Sequence, residues 1–230
     1  MNTRSLPRIL AAGLLALPFC PNLAPAQSPD PAEILRMVRM TQFQEGTRLT
    51  GRVRTGAAST PFSLVAGPDS VEYRFDPPPL TLRLKLGEER VELQEIRSGT
   101  ARPVGPARFD ETVANTNITF EDLSLRFLYW PKASIEGEQI IGPRKTWRIQ
   151  VLSPARDSQY RAVHVWVDKE SGALMQMEGY DWDGRFVKRF RVVSGQTIRG
   201  VWTLKQMRIE SFEPGTKNVT SRTYLEIDGD

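Results

Sequence analysis

Short segments in which apolar and polar residues alternate recur along most of this chain, and no other feature restricts the fold as strongly. The clearest is 80–86, where four leucines alternate with Thr81, Arg83 and Lys85. A period of two places successive side chains on opposite faces of a strand, so each segment predicts a strand with one apolar face. The other segments are 71–75, 91–94, 145–152, 161–167, 173–180, 185–193, 201–209 and 220–227. Together with the region that starts at Thr47, a short strand at 107–109 and turn signals such as Asp183-Gly184, they predict one meandering antiparallel sheet of about eleven strands.

Two segments have the period of a helix instead. Residues 31–41 follow Asp30, whose side chain can cap a helix, and begin with a proline, which suits the first helical position. The second predicted helix starts after Thr119 and extends to Trp130, where the following proline ends it. This second helix is apolar nearly all round, so other elements must cover both of its sides.

The stretch 98–117 lies between the first group of strands and the second helix. It is rich in Gly, Pro, Ala and Asn, a composition that predicts a long loop with one short strand at 107–109. Long loops in compact domains tend to be functional or mobile.

The N-terminus has the pattern of a secretory signal peptide. Residues 9–19 are apolar but too short to span a bilayer, two arginines precede them, and an Ala-Pro-Ala sequence follows. The predicted organisation is a signal peptide over 1–26 and a single domain over 27–230. Cys20, the only cysteine, falls within the signal peptide, and the bulky Phe19 before it disfavours lipidation at that cysteine. The sequence therefore predicts export across the inner membrane and a mature chain without disulfides.

The charge distribution argues against nucleic acid as a partner. The formal net charge is +4, and two of the positive charges lie in the predicted signal peptide. A nucleic-acid surface needs a concentrated basic patch, and only the strand 185–193 has one. For that strand we predict a solvated basic face, with contact to anionic lipid head groups as the alternative.

Residues that could carry catalysis are few. His164 is the sole histidine and lies in an apolar strand, which is typical of a structural side chain rather than a general base. Asp181 and Asp183 flank a tryptophan before Gly184, and a tight hairpin explains them better than a calcium or glycosidase site. No phosphate-binding glycine loop and no nucleophile elbow occurs in the sequence. We therefore predict a binding protein, not an enzyme, without metal or cofactor.

The chain resembles a known family, the LolA-like outer-membrane lipoprotein-sorting proteins of Gram-negative bacteria. The resemblance covers essentially the whole of 27–230, and the second half carries most of it. The segments that carry it are the signal peptide, the helix 31–41 leading into 49–52, the helix start 119–123, the stretches 165–172 and 178–184, and Lys188.

This resemblance implies an unclosed, strongly curved antiparallel barrel, with helices forming a lid over an apolar cavity. The implied function is that of a periplasmic carrier that takes up acyl chains and helps sort lipoproteins to the outer membrane. The implied partners are acylated lipoproteins or lipids, with an inner-membrane release complex or an outer-membrane acceptor as candidates. Membrane contact would be transient, and we expect a monomer. Two alternatives remain, a periplasmic lipoprotein-sensing regulator of envelope stress and a small outer-membrane β-barrel.

The candidate cavity residues are the side chains on the apolar faces of the predicted strands and of the second helix. They are Val71, Tyr73, Phe75, Leu82, Leu84, Phe127, Trp130, Trp147, Ile149, Val165 and Val167. Ordinary core packing is the alternative explanation for each of them. The resemblance also implies an arginine that holds the lid and gates the cavity, and Arg52 and Arg54 lie in the corresponding region. The stretch near Pro61 that should follow these arginines departs from the family pattern, because it has Thr60 instead.

Overall fold

The structure is a computed structural model that describes residues 29–42, 45–198 and 200–229. The predicted signal peptide, including Cys20, lies outside the described residues, so it stays a prediction.

Within the described residues, one helix, α1 (Pro31–Gln42), precedes a thirteen-stranded antiparallel sheet. The strands are β1 (Arg48–Thr55), β2 (Ala58–Ala66), β3 (Ser70–Phe75), β4 (Leu80–Leu86), β5 (Val91–Arg97), β6 (Thr100–Pro103), β7 (Lys132–Ile141), β8 (Arg144–Leu152), β9 (Ala162–Asp168), β10 (Leu174–Tyr180), β11 (Phe186–Ile198), β12 (Val201–Phe212) and β13 (Val219–Ile227). Between β6 and β7 lie a short helix, α2 (Phe120–Ser124), and two 3₁₀ helices, Pro106–Arg108 and Arg126–Tyr129. None of the helices described is both long enough and apolar enough to cross a membrane.

The strand order is β6-β5-β4-β3-β2-β1-β13-β12-β11-β10-β9-β8-β7. The sheet forms an unclosed, curved barrel whose two free edges are β6 and β7, which confirms the predicted mainly β fold. Residues 104–131, which we call the lid segment, connect these two edges. Side chains of the lid segment and of α1 pack against the inner face of the sheet.

Alternation of side chains explains why these segments form strands. In β4, Leu82 and Leu84 are fully buried on the inner face. Arg83, between them, lies on the outer face, where its guanidinium is 2.9 Å from the Glu72 carboxylate on β3. The inner face thus supplies the apolar burial that stabilises the sheet, while the outer face carries cross-strand ion pairs.

Two predictions about the lid segment are wrong. The second helix is not continuous to Trp130, because Leu125 adopts a left-handed conformation (φ 51°) that ends α2 before the second 3₁₀ helix starts. A left-handed residue cannot continue a right-handed helix. Of the short strand predicted at 107–109, the first two residues lie instead in the first 3₁₀ helix, and Phe109 caps its C-terminal end.

The sheet also extends further than predicted. Strand β11 continues to Ile198 through the break expected at 194–200, and β7 forms an edge strand that the sequence pattern does not predict. Most side chains of β7 are exposed, so it lacks the apolar alternation that identifies the inner strands.

Candidate functional site

The interior of the barrel is lined by two apolar clusters. Five of the eleven candidate cavity residues lie in the first cluster, on β3 and β4: Val71, Tyr73, Phe75, Leu82 and Leu84. Five lie in the second, on β8, β9 and the lid segment: Phe127, Trp130, Ile149, Val165 and Val167. Trp147 is partly buried and packs against the second cluster. Phe190 of β11 contacts both clusters, so the structure brings the candidates to one concave face, in two adjoining groups.

Helix α1 covers the second cluster. Ile34, Leu35 and Val38, at helical spacing, are buried against it. Arg39 donates a hydrogen bond to the carbonyl oxygen of Leu128 at 2.6 Å, and its guanidinium lies over the Tyr129 ring, 4.7 Å from the ring centre. Burial lowers the pKa of Arg39 from its ordinary value. Three apolar side chains and one arginine therefore fasten α1 to the lid segment.

The start of α2 is fixed by a capping box. The Thr119 hydroxyl accepts a hydrogen bond from the Asp122 backbone N–H at 3.2 Å, and the Asp122 carboxylate accepts one from the Thr119 N–H at 2.9 Å. This confirms the predicted cap, which satisfies two backbone donors at the helix start. The cap also orients Asp122 toward the barrel wall.

Asp122 takes part in a buried ion pair that joins the lid segment to the sheet. Its carboxylate lies 2.6 Å from the Lys188 ammonium of β11, and both side chains are almost fully buried. The Tyr160 hydroxyl donates to the same carboxylate at 2.6 Å. Lys188 also donates to the carbonyl oxygen of Asn117 at 2.8 Å. We call Glu121, Asp122, Tyr160 and Lys188 the buried ionic cluster.

Glu121 contributes a second attachment. Its side chain is fully buried and accepts hydrogen bonds from the Ser158 hydroxyl at 2.6 Å and the Gln159 backbone N–H at 2.9 Å. Burial raises the pKa of Glu121, and these two hydrogen bonds and nearby Arg126 oppose the rise only in part. The pKa of Tyr160 is raised well above its ordinary value, first by burial and then by the Asp122 charge.

The buried ionic cluster has the properties of a fastening rather than of a catalytic site. Its carboxylates and ammonium are paired with one another and with backbone groups, and its tyrosine remains protonated as a donor. An ionic contact of this kind in an apolar interior is specific in geometry, and it is costly to break one partner at a time. The cluster therefore holds the lid segment at one defined position on β11.

The arrangement was only partly predictable. The sequence indicates Thr119, Glu121 and Asp122 as a helix start, but their buried partners Tyr160 and Lys188 are 38 and 66 residues away from Asp122. Lys188 stands in a strand with two other basic residues, Arg189 and Arg191, and the sequence does not distinguish it from them. A buried lysine has no local sequence signal of its own.

Arg52 and Arg54 lie on the outer face of β1, opposite the buried Val53. Both form ion pairs with Glu226 of β13, Arg54 at 3.2 Å and Arg52 at 3.9 Å. These contacts connect β1 to β13 rather than to the lid segment. The gating role of the two arginines stays a prediction.

His164 is held by polar neighbours on the outer face of β9. The Arg148 guanidinium lies 2.8 Å from Nδ1, and the Gln150 carboxamide lies 3.0 Å from Nε2. The contacting atoms are N–H donors at both ring nitrogens, the guanidinium of Arg148 and the carboxamide nitrogen of Gln150, so a neutral ring can accept only one of these two hydrogen bonds. Burial lowers the pKa of His164, which favours this neutral form. Within the part of the chain that is described, no group of three His, Cys, Asp or Glu side chains could hold a metal ion.

The Asp181–Gly184 turn is the predicted hairpin. The Asp181 carboxylate accepts hydrogen bonds from the backbone N–H groups of Asp183 and Arg185, and the Gly184 N–H donates to the Asp181 carbonyl. Gly184 has φ 76°, a conformation that glycine adopts without strain.

Comparisons with known proteins identify the fold. A protein-family model with the description "Uncharacterized protein" matches residues 100–229, more than half of the chain. No curated protein matches the sequence.

Three solved structures share the architecture. The first is a DUF1329 family protein from Desulfovibrio piger, with 18% sequence identity, 87% of this chain and 92% of that chain covered, and a TM-score of 0.64. The second is a domain described as outer membrane lipoprotein-sorting protein from Vibrio parahaemolyticus, with 13% identity, 86% and 90% of the two chains covered, and a TM-score of 0.66. The third is a LolA superfamily protein from Nitrosomonas europaea, with 15% identity, 87% and 92% of the two chains covered, and a TM-score of 0.64. At these identities the likeness concerns the fold, and it confirms the predicted LolA-like architecture.

Proposed function

The chain belongs to the family described as "Uncharacterized protein" and has a LolA-like fold, and from its lidded interior we propose that it is a periplasmic carrier of acyl chains. In this proposal it takes the acyl chains of lipids or lipoproteins into the barrel and helps to deliver lipoproteins to the outer membrane. It acts as a monomer, without cofactor, metal or chemical step.

One observation carries the proposal. The apolar concave face of the sheet is covered by elements that are not part of the sheet, namely α1 and the lid segment. These elements are fastened at a few polar points, chiefly Arg39 to Leu128 and Asp122 to Lys188. A cover of this kind can move away from the sheet without breaking strand pairing.

Apolar surface supplies the driving force for uptake. In the closed arrangement, side chains such as Leu35 and Phe127 are buried against the strands. An acyl chain that displaces them replaces their contacts, and each methylene transferred from water contributes about 0.8 kcal/mol. Uptake therefore replaces one apolar partner of the sheet by another, so that the free energies of the closed and the lipid-bound state can be close to balanced.

Helix α1 is the element that we propose moves first. It packs on the second cluster through three buried side chains and makes no strand pair. The lid segment, in contrast, is held at both ends by β6 and β7 and in its middle by the buried ionic cluster. The ligand would then enter beside Ile149, Val165 and Val167.

The direct test is to ask what the protein carries. The full-length chain is produced in a Gram-negative host, purified from the periplasm without detergent, and its bound lipids are extracted and identified by mass spectrometry. The purified protein is also titrated with a fluorescent acylated peptide and with the same peptide lacking the acyl chain. We expect bound acyl lipid and acyl-dependent binding. Recovery of lipid-free protein that also fails to bind the acylated peptide would refute the proposal.

Substitutions separate cavity residues from core residues. Leu84→Asp and Phe127→Asp should abolish acyl binding, while Ile140→Asp, at an exposed position on the edge strand β7, should leave it unchanged. Urea unfolding of each variant is measured in parallel. Loss of binding in a folded variant supports a cavity position, whereas loss of folding assigns the residue to the core.

A further inference from the structure

A groove on the outer face of the sheet combines four cations with an apolar floor. It lies over β11, β12 and β13, has a volume of about 380 Å³, and is separate from the interior. Its lining residues are Phe186, Arg189, Arg208, Glu210, Phe212, Lys217, Val219 and Arg222. The inward neighbours Ile209 and Thr223 are fully buried, which places the groove on the opposite face of the same strands.

The positive charges are only partly neutralised. Strand register aligns Arg189, Glu210 and Arg222 across β11, β12 and β13, and Glu210 is bound by Arg222 at 2.7 Å. Arg189 pairs with Glu178 at 2.9 Å.

The positive charges of two groove residues are less completely neutralised by nearby carboxylates. The buried Nε of Arg208 has no hydrogen-bond acceptor among the described groups, although it lies 3.3 Å from the Glu210 carboxylate. Among the described residues Lys217, on the β12–β13 turn, has no ion pair within 4.0 Å.

The floor of the groove is apolar. The Phe186 and Phe212 rings lie 4.4 Å apart, and the guanidinium of Arg189 lies 5.1 Å from the centre of one ring and 5.4 Å from the other. Val219, beside the turn, leaves 40% of its surface exposed. A ligand of this groove therefore needs negative charge together with apolar surface.

We propose that this outer groove docks the protein on the surface of an anionic phospholipid membrane, with head-group phosphates on Arg208 and Lys217 and apolar contact at Val219. Basic residues on a protein surface attract anionic lipids, and exposed apolar side chains near them add contact with the interface. An acidic polypeptide is the competing occupant. It fits less well because all three strands are already paired on both sides, so a peptide backbone has no strand edge to join. This inference does not rest on acyl uptake into the interior, because the groove lies on the other face of the sheet.

Vesicle co-sedimentation tests the inference. The purified protein is mixed with vesicles of equal parts phosphatidylglycerol and phosphatidylcholine, or with vesicles of phosphatidylcholine alone. We expect binding only to the anionic vesicles, weakening as salt rises from about 0.01 M to about 0.1 M, since the Debye length falls from about 30 Å to about 10 Å. Equal binding to both kinds of vesicle, or to neither, would overturn the inference.

Three variants localise the contact. Lys217→Glu and Arg208→Gln should each weaken vesicle binding at least about fivefold, the effect of roughly one basic residue at an anionic surface. Lys85→Glu makes the same charge change as Lys217→Glu at an exposed position on β4, far along the sheet, and should retain binding. Urea unfolding checks that all three variants fold. If Lys85→Glu weakens binding as much as Lys217→Glu, the effect is one of net charge and the groove is not the docking site.

Two soluble probes separate the other sources of negative charge. The protein is titrated with polyglutamate and, separately, with inorganic phosphate at constant ionic strength. Binding of polyglutamate that depends on Lys217, without vesicle binding, would assign the groove to an acidic protein partner. Binding of phosphate without vesicle binding would assign it to a small anion. Either result overturns membrane docking, while acyl uptake is measured independently with Ile140→Asp as its control.

Discussion

Replacing Lys188 by methionine should destabilise the protein strongly, although the side chain lies in a strand of basic residues. Lys188→Met keeps an unbranched apolar stem of four atoms and removes the ammonium at its end. The Asp122 carboxylate, which is fully buried, then keeps its hydrogen bonds from the Thr119 N–H and the Tyr160 hydroxyl but loses its counter-charge. The Asn117 carbonyl also loses a donor.

The size of the effect follows from this geometry. Removing one partner of a buried ion pair costs about 3–5 kcal/mol, because the other charge is left uncompensated in a medium of low polarity. The free energy of unfolding of a typical domain is about 5–15 kcal/mol, so the loss is a large fraction of the total. The matched control is Lys85→Met on the exposed face of β4, for which we expect a change within about 0.5 kcal/mol.

Urea unfolding followed by tryptophan fluorescence measures both variants, together with Asp122→Asn and the double variant Asp122→Asn/Lys188→Met. The double variant should be markedly less destabilised than the sum of the single changes, since contacting residues couple by about 0.5–3 kcal/mol. Hydrogen exchange should increase first in the lid segment. A loss below about 0.5 kcal/mol for Lys188→Met, or strict additivity in the cycle, would refute the fastening role of the ion pair.

Three further predictions concern the same interior. The raised pKa of Glu121 means that the folded state binds the proton of this side chain more tightly than the unfolded state does. The contribution of Glu121 to the free energy of unfolding is therefore present below the unfolded pKa and is lost as pH rises through the folded pKa. Glu121→Gln should remove this loss of stability with rising pH, as measured by urea unfolding against pH. A methyl group at Gly179 would overlap the Tyr160 ring, so Gly179→Ala should cost about 1–3 kcal/mol in unfolding free energy, whereas Gly105→Ala, with open space around it, should cost less than about 0.5 kcal/mol. Arg39→Met removes the hydrogen bond to the Leu128 carbonyl and should lower the free energy of unfolding by about 1.5–3 kcal/mol. It should also speed the uptake of a fluorescent acylated peptide in stopped-flow mixing. An unchanged uptake rate at lowered stability would contradict a role for α1 as the moving cover.

Much of the fold follows from local pattern. The alternation in 80–86 predicts β4, because the sheet buries one face of that strand and leaves the other in ion pairs. The Asp183-Gly184 turn is equally local, since a left-handed glycine and an aspartate that accepts from the backbone make a tight hairpin by themselves. Such features require no information about distant parts of the chain.

Other features depend on contacts that sequence pattern does not record. The edge strand β7 is paired on one side only and exposes most of its side chains, so the inner-strand pattern is missing. Leu125 adopts a left-handed conformation that leucine rarely takes, so the helical spacing of the apolar residues around it does not indicate the break. The partnership of Asp122 with Lys188 likewise arises only when the lid segment lies on β11. The candidate site was therefore predictable as an apolar face but not as a fastened lid.

The strand order has a consequence for how the barrel folds. Among the described strands, eleven of the twelve pairings join neighbours along the chain, and only the pairing of β1 with β13 joins distant segments. Each half can therefore form as a local meander with little loop-closure entropy, and closing the β1–β13 seam is the step that should limit the folding rate. Gly51 lies at that seam, and a side chain there would overlap the Glu226 carbonyl, so this glycine is where a single substitution would act on the rate of assembly.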